Sequence, residues 1–182
     1  FKCYDFSMEN SNHSNVLIVG GGCAGIAVAS RINSLKSDLT ISIVEPSEKS
    51  LYQAAWTLVG AGAYNVNDTI KPMSSVMPSY VKWIKEYAEE FLPDSNSLKT
   101  NGGTYTYDYL VVCPGLKLNY DGVAGLKENL GKNNVCTNYS AEMATYTWDC
   151  LKQLDGGTLL FTEPPMPIKC AGAPQKIAYL AA

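Results

Sequence analysis

The chain has 182 residues, with 14 Lys+Arg against 17 Asp+Glu, a formal net charge of −3, 46% hydrophobic and 17% charged residues. This gives room for one ordinary domain, or for one domain and the start of another, and the composition is globular, not disordered. The weak acidity argues against a general nucleic-acid binder, and no run of about 18 apolar residues is present to cross a membrane as a helix.

Residues 1–14 are mixed and polar and read as a tail that holds the single His13. Val16-Leu17-Ile18-Val19 is a short, β-branched apolar run cut off by Gly20-Gly21-Gly22, as expected of a strand buried on both faces. Ala24 to Leu35 then has Ile26, Ala29 and Ile32 at helical spacing, and Thr40 to Val44 is a second strand closed by Glu45-Pro46. Strand, glycine turn, helix and strand make a βαβ unit.

Residues 49–78 are irregular. Tyr80–Glu86, Ala88–Leu92, Ser97–Thr100 and Gly103–Tyr107 are short extended runs separated by turn residues, which together predict an antiparallel meander inserted into the α/β unit. Tyr109 to Cys113 reads as a strand returning to the parallel sheet, stopped by Pro114-Gly115. Ser140 to Leu154 has the signature of a helix, with Ala144, Trp148, Leu151 and Leu154 on one face. Thr158 to Thr162 reads as another strand, and Pro174 suits the first turn of a further helix, so a second βα unit is expected to begin here. The start at Phe1 and the end inside that helix are what a piece of a longer protein would show.

Two places carry chemistry. Gly20, Gly22 and Gly25 fit G-x-G-x-x-G between a strand and a helix, and Glu45 closes the next strand 20 residues after Gly25. Such glycines allow a tight turn, close approach of the backbone to a pyrophosphate, and close packing of helix on strand. The acid accepts hydrogen bonds from ribose hydroxyls. A ribose acid disfavours a 2′-phosphate, so FAD or NAD is expected over NADP, and the spacing alone does not separate those two. The second place is Cys170, between a strand end and a proline-started helix with Lys169 and Lys176 nearby, a setting that favours a thiolate, although an isolated cysteine is more often a small buried apolar residue. Cys3, Cys23, Cys113 and Cys150 read as small buried apolar residues. No C-x-x-C pair occurs, so neither a zinc site nor a secreted disulfide scaffold is expected, and a reducing compartment is the simpler reading.

The stretch from Pro167 through Lys169-Cys170-Ala171-Gly172-Ala173-Pro174-Gln175-Lys176 to Ile177 closely resembles a segment of mitochondrial-type sulfide:quinone oxidoreductases. So do Val44 to Glu48, Tyr52-Gln53 and Trp56 to Gly62, and the likeness runs from about Val16 to the end of the chain. Tyr107 to Gly115 resembles the segment with which flavoproteins of two dinucleotide-binding domains close the FAD site, with Cys113-Pro114 in place of its usual Ala-Thr pair. Gln53-Ala54 stands where that family often has Gln-Pro.

The resemblance implies a Rossmann-like α/β fold. Residues 15–135 would form an FAD-binding domain with the antiparallel meander, and 136–182 the truncated beginning of a second, NAD-like domain. It implies FAD held by Gly20, Gly22, Cys23, Ala24, Gly25, Glu45, Gln53, the backbone near Ala88, and Gly115. Cys170 would be one of two redox-active cysteines whose disulfide is attacked by sulfide, electrons passing through FAD to ubiquinone and the sulfur to a small acceptor such as glutathione or sulfite. The second cysteine, the quinone site and a membrane-contacting region of a mitochondrial inner-membrane enzyme would lie beyond residue 182, leaving this stretch inactive alone. Cys136 resembles a cysteine position of the bacterial enzymes. Two other readings are a type II NADH dehydrogenase-like flavoprotein, which needs no redox cysteine, and a non-catalytic FAD-binding fragment.

Overall fold

A computed structural model describes residues 12–182, so Cys3 and most of the polar tail lie outside the described residues. The chain divides into two compact units, residues 1–50 with 72–115, and residues 51–71 with 116–182.

Unit 1 is a six-stranded mixed sheet. Its elements are β1 (His13–Val19), α1 (Cys23–Leu35), β2 (Ile41–Val44), the short helix α3 (Met73–Val76), β5 (Val81–Ile84), β6 (Ala88–Leu92), β7 (Ser97–Thr100) and β8 (Thr104–Val112). The strand order is β5-β2-β1-β8-β7-β6. β1 pairs in parallel with both β2 and β8, in the registers Val19↔Val44 and Val19↔Val112, and β2 pairs in parallel with β5, Val44 opposite Ile84. The C-terminal ends of β1, β2, β5 and β8 therefore share one edge.

The apolar run of β1 is explained by burial on both faces. Val16 and Ile18 pack with Ala29 of α1, Ile41 and Ile43 on one side. Leu17 and Val19 pack with Val44, Ile84, Leu98 and Tyr107 on the other. With alternating side chains and both faces covered, no polar position is left in the run. Leu17, Ile18 and Ile43 are fully buried, and truncating any one of them to Ala would cost about 2–5 kcal/mol.

The meander differs from expectation in two respects. The strand at Val81–Ile84 is parallel, because it extends the sheet beyond β2, so only β6, β7 and the first residues of β8 are antiparallel. The runs read as Gly103–Tyr107 and Tyr109–Cys113 are one continuous strand, β8, antiparallel to β7 through Thr104–Thr106 and parallel to β1 through Thr106–Val112.

A two-stranded ribbon, β3 (Lys49–Leu51) with β4 (Ile70–Pro72), carries the chain out of unit 1 and back. Unit 2 contains α2 (Trp56–Gly60), α4 (Leu126–Asn129), α5 (Ala141–Lys152) and α6 (Gly172–Ala181). Its small core is Trp56, Val59 and Ala144, with Val66 and Ala141 against them. α2 approaches its neighbours closely because it ends in glycine. A Cβ on Gly60 would stand 2.1 Å from Asn138 Oδ1, and one on Gly62 (φ +73°) 2.4 Å from the Trp148 ring.

The strand expected at Thr158–Thr162 does not form. The segment takes no regular structure and pairs with no strand, and Leu160 is 84% exposed. A strand needs a neighbour to take its N–H and C=O groups, and none lies beside it among the described residues. Among the described residues, no helix is long and apolar enough to cross a membrane.

Candidate functional site

The glycine turn sits on the shared C-terminal edge of the parallel strands, where open α/β sheets bind their ligands. Its shape is fixed by contacts that only glycine allows. Gly20 has φ +103° and donates its N–H to Val44 O at 2.9 Å; a Cβ there would lie 2.1 Å from the carbonyl oxygen of Cys113. A Cβ on Gly25 would lie 1.9 Å from Gly20 O and 3.3 Å from Ile18 Cγ2, so this glycine lets α1 rest against β1.

Gly22 is different. It has an ordinary φ of −73°, and a Cβ there would meet nothing within 4 Å. Gly22, Cys23 and Ala24 are exposed, no side chain caps α1, and its first turn carries no acidic residue. The start of this helix thus presents uncapped N–H groups and the positive end of its dipole to open space, which suits an anion such as a pyrophosphate. The exposure of Cys23 corrects its reading as a buried residue, because the first helical position faces this opening and not the core.

Glu45 closes the turn. Its Oε2 accepts the Gly21 N–H at 2.8 Å and its Oε1 accepts the Ser47 N–H at 2.8 Å. Its backbone is held on both sides, the N–H by Ile84 O at 2.9 Å and the C=O by Trp83 Nε1 at 2.8 Å. The carboxylate is therefore presented beside the exposed Gly22. The strand β8 brings Cys113-Pro114 against Gly20, and Gly115 follows with φ +74° and nothing within 4 Å of its Cβ position. Ala88 opens β6 and packs, half-buried, with Ile84 and Leu98. Gly20, Gly22, Cys23, Ala24, Gly25, Glu45 and Gly115 thus converge on one edge of unit 1. Among them stands an open cradle of the kind a dinucleotide's phosphates and ribose would fill.

Gln53 and Cys170 belong to unit 2. Gln53 is exposed at the start of a single 3₁₀ turn, Gln53–Ala55. Cys170 is exposed just before α6. Its carbonyl oxygen accepts the Tyr139 hydroxyl at 2.9 Å and the Ala173 N–H at 3.2 Å, which fixes the backbone on which the thiol stands.

Lys169 lays its ammonium over the ring of Trp56, 5.1 Å from the centroid. The residue as a whole is exposed, but this contact strips water from the ammonium and lowers its pKa, while negative charge on Cys170 works the other way. Burial raises the Tyr139 phenol, and negative charge on Cys170 and Glu163 adds to the rise. Sequence reasoning had Lys169 beside Cys170 but missed Trp56, 113 positions earlier, and Tyr139. No local spacing could have found them.

The remaining cysteines among the described residues, Cys113, Cys136 and Cys150, are free thiols and half-buried. No cluster of three or more His, Cys, Asp or Glu able to hold a metal ion occurs among the described residues.

A family model for pyridine nucleotide-disulphide oxidoreductases matches residues 14–144. The chain is 42% identical over 170 residues to the mitochondrial sulfide:quinone oxidoreductase of Mus musculus and 45% identical over 172 residues to that of Dictyostelium discoideum. Each match covers 93% of this chain and 38% of the relative, so the chain spans less than two-fifths of their length. The solved sulfide:quinone oxidoreductase of Aquifex aeolicus superposes with a TM-score of 0.64 at 30% identity, over 79% of this chain and 32% of that one.

Proposed function

The chain belongs to the pyridine nucleotide-disulphide oxidoreductase family, a family of FAD-binding α/β proteins, and from that premise we propose that it carries the FAD cradle and one redox cysteine of a mitochondrial sulfide:quinone oxidoreductase. The observation that supports this most directly is the identity of 42% to 45%, across 93% of the chain, to relatives named for that activity.

The residues at the sheet edge suit FAD. Gly22 with the exposed start of α1 would take the pyrophosphate, Cys23 and Ala24 offering backbone N–H groups. Glu45 would accept the ribose hydroxyls. Gly20 and Gly25 would hold the turn in shape, and Gly115, Gln53 and the backbone near Ala88 would complete the contacts. When bound, FAD takes up two electrons and passes them on to a quinone.

Cys170 would be one sulfur of a disulfide whose other half lies elsewhere in the longer protein. Hydrosulfide attacks that disulfide: one new S–S bond forms, the old one breaks, and the products are a persulfide and a thiolate. The outer persulfide sulfur leaves to a small thiol or sulfite, and the two cysteine thiolates left behind would re-form their disulfide, releasing the electron pair that bound FAD would accept. Lys169, its ammonium held near Cys170 by the Trp56 ring, would favour negative charge on that sulfur. Tyr139, bonded to the Cys170 carbonyl, would keep the thiol in place. Residues 136–182 would begin the family's second dinucleotide-binding domain, and attachment to the inner membrane would come from outside this stretch.

Cys170→Ser in the full-length protein tests the assignment. A hydroxyl forms neither disulfide nor persulfide, so sulfide-dependent quinone reduction should fall by at least about a thousandfold with bound flavin retained. Stopped-flow mixing with sulfide, read as bleaching of the flavin absorbance, measures it. Bleaching at the wild-type rate would overturn the role of Cys170.

A further inference from the structure

Unit 2 brings together two cysteines that neither the glycine turn nor the Cys170 segment uses. Cys136 lies in the loop before α5 and Cys150 near the end of that helix. Cys150 is close enough to Cys136 to raise the pKa of its thiol. Both are also held by one residue, Asn134: Cys136 Sγ donates to its carbonyl oxygen and Cys150 Sγ to its Oδ1, each at 3.8 Å.

Asn134 is itself fixed in the left-handed region, φ +60°, which Asn tolerates better than most residues. Its N–H donates to Tyr146 Oη at 3.1 Å, and the neighbouring Cys150 raises the pKa of that phenol. Tyr146 and Cys150 are four apart on α5 and so share a face. The two sulfurs are thus gathered from a loop and a helix by their shared contacts with Asn134. Both line a cleft of about 940 Å³ in unit 2, walled by Leu130, Leu151 and Leu159 among others, so a small molecule can reach them.

We propose that Cys136 and Cys150 form a dithiol site that exchanges with low-molecular-weight disulfides and closes to an internal disulfide. Cys150 attacks first: its sulfur bonds to one sulfur of the incoming disulfide, whose S–S bond breaks and releases one thiolate. Cys136 then gives up its proton and attacks the Cys150 sulfur, the mixed S–S bond breaks, and a second thiol leaves. Two protein thiols and one small disulfide become one protein disulfide and two small thiols, the electron pair passing from the protein sulfurs to the oxidant.

The order of attack follows from the surroundings of Cys136. Burial, and then the neighbouring Cys150, push its pKa up to about 11. The Thr147 hydroxyl, on the buried face of α5, opposes part of that rise. Cys136 therefore keeps its proton at neutral pH, its S–H directed at Asn134 O, and Cys150 is left as the first nucleophile. Once Cys150 is capped as a mixed disulfide, its part of the rise disappears and Cys136 gives up its proton more readily. The site works without sulfide, quinone or Cys170, so it stands or falls separately from the function proposed above.

Both cysteines lie in one tryptic peptide, residues 133–152, with no other cysteine in it. The protein is treated with oxidised glutathione in the absence of sulfide, quenched, alkylated and digested. The peptide should lose two hydrogens and take no alkyl group, about tenfold faster than the exposed Cys23 is modified. Cys136→Ser should instead trap glutathione on Cys150. Phenylarsine oxide, which bridges neighbouring thiols, gives a second reading on the unmutated protein and should shield both cysteines from alkylation until a small dithiol removes it. Alkylation of both cysteines after either treatment, or glutathione accumulating on each without a link, would overturn the proposal.

Discussion

The glycine turn of unit 1 and the cysteine segment of unit 2 both lie against the start of a helix, but they are built in different ways. The turn is locked by backbone: Gly20 against Cys113 O, Gly25 against Gly20 O, and Glu45 bonded to Gly21 N–H, all resting on strands buried on both faces. The cysteine segment is exposed and held by single side-chain contacts, the Tyr139 hydroxyl on the Cys170 carbonyl and the Lys169 ammonium over Trp56. A cradle for a large dinucleotide gains from rigidity, because ordering it on binding would weaken affinity. A cysteine with the proposed role of meeting a second sulfur gains from access.

If this contrast is right, substitutions in the turn should divide sharply between those that unfold unit 1 and those that only abolish the cradle. Gly25→Val places a branched carbon where Gly20 O already stands, and should cost about 3 kcal/mol or more. Urea unfolding followed by circular dichroism would register it, and a wild-type midpoint would show that the helix can back away from the strand. Gly22→Val places its Cβ where no atom lies within 4 Å, so it should keep the wild-type midpoint while flavin binding falls by about a hundredfold or more. Flavin retained at full stoichiometry would mean that the pyrophosphate lies elsewhere.

Glu45→Gln should show a smaller effect. It leaves one carbonyl oxygen for two backbone N–H donors and turns an amide toward the other, costing about 1 kcal/mol of stability and about tenfold in flavin affinity. Equilibrium titration of the flavin-free protein measures the second figure, and an unchanged affinity would remove Glu45 from the ribose contact.

The smallest effect lies in unit 2 and depends on pH. The Cys136 thiol is raised from an ordinary value near 9 to about 11, so the folded state disfavours its thiolate. Its contribution to stability is whole below about pH 9 and is lost as pH rises through about 11. Cys136→Ser should therefore flatten the alkaline decline of the midpoint over that window, and a decline as steep as in wild type would assign it to other groups.

Much of unit 1 was legible in the sequence because its signals are local. Val16–Val19 followed by three glycines, a helix with Ala29 on its inner face, and a strand ending in Glu45 are constraints of neighbouring residues: steric room for a turn, helical period and two-sided burial. Strand direction at Val81–Ile84 was not legible, since an edge strand reads alike whether its partner runs parallel or antiparallel. Residues 104–112 were divided in two because the strand changes partners midway, from β7 to β1, and the pattern of burial changes with it.

By itself, then, the sequence determined the glycine cradle and its acid, because three glycines at that spacing leave the backbone few other courses. It also determined the segment around Cys170 by its likeness to a known family. Tertiary structure alone decided what surrounds those residues. Trp56 reaches Lys169, Tyr139 reaches the Cys170 carbonyl, and Asn134 gathers Cys136 and Cys150, each through packing of α2, α5 and the loops of unit 2. Thr158–Thr162 makes the same point in reverse: its β-forming residues remain unpaired, because a strand is made by its neighbour as much as by its own side chains.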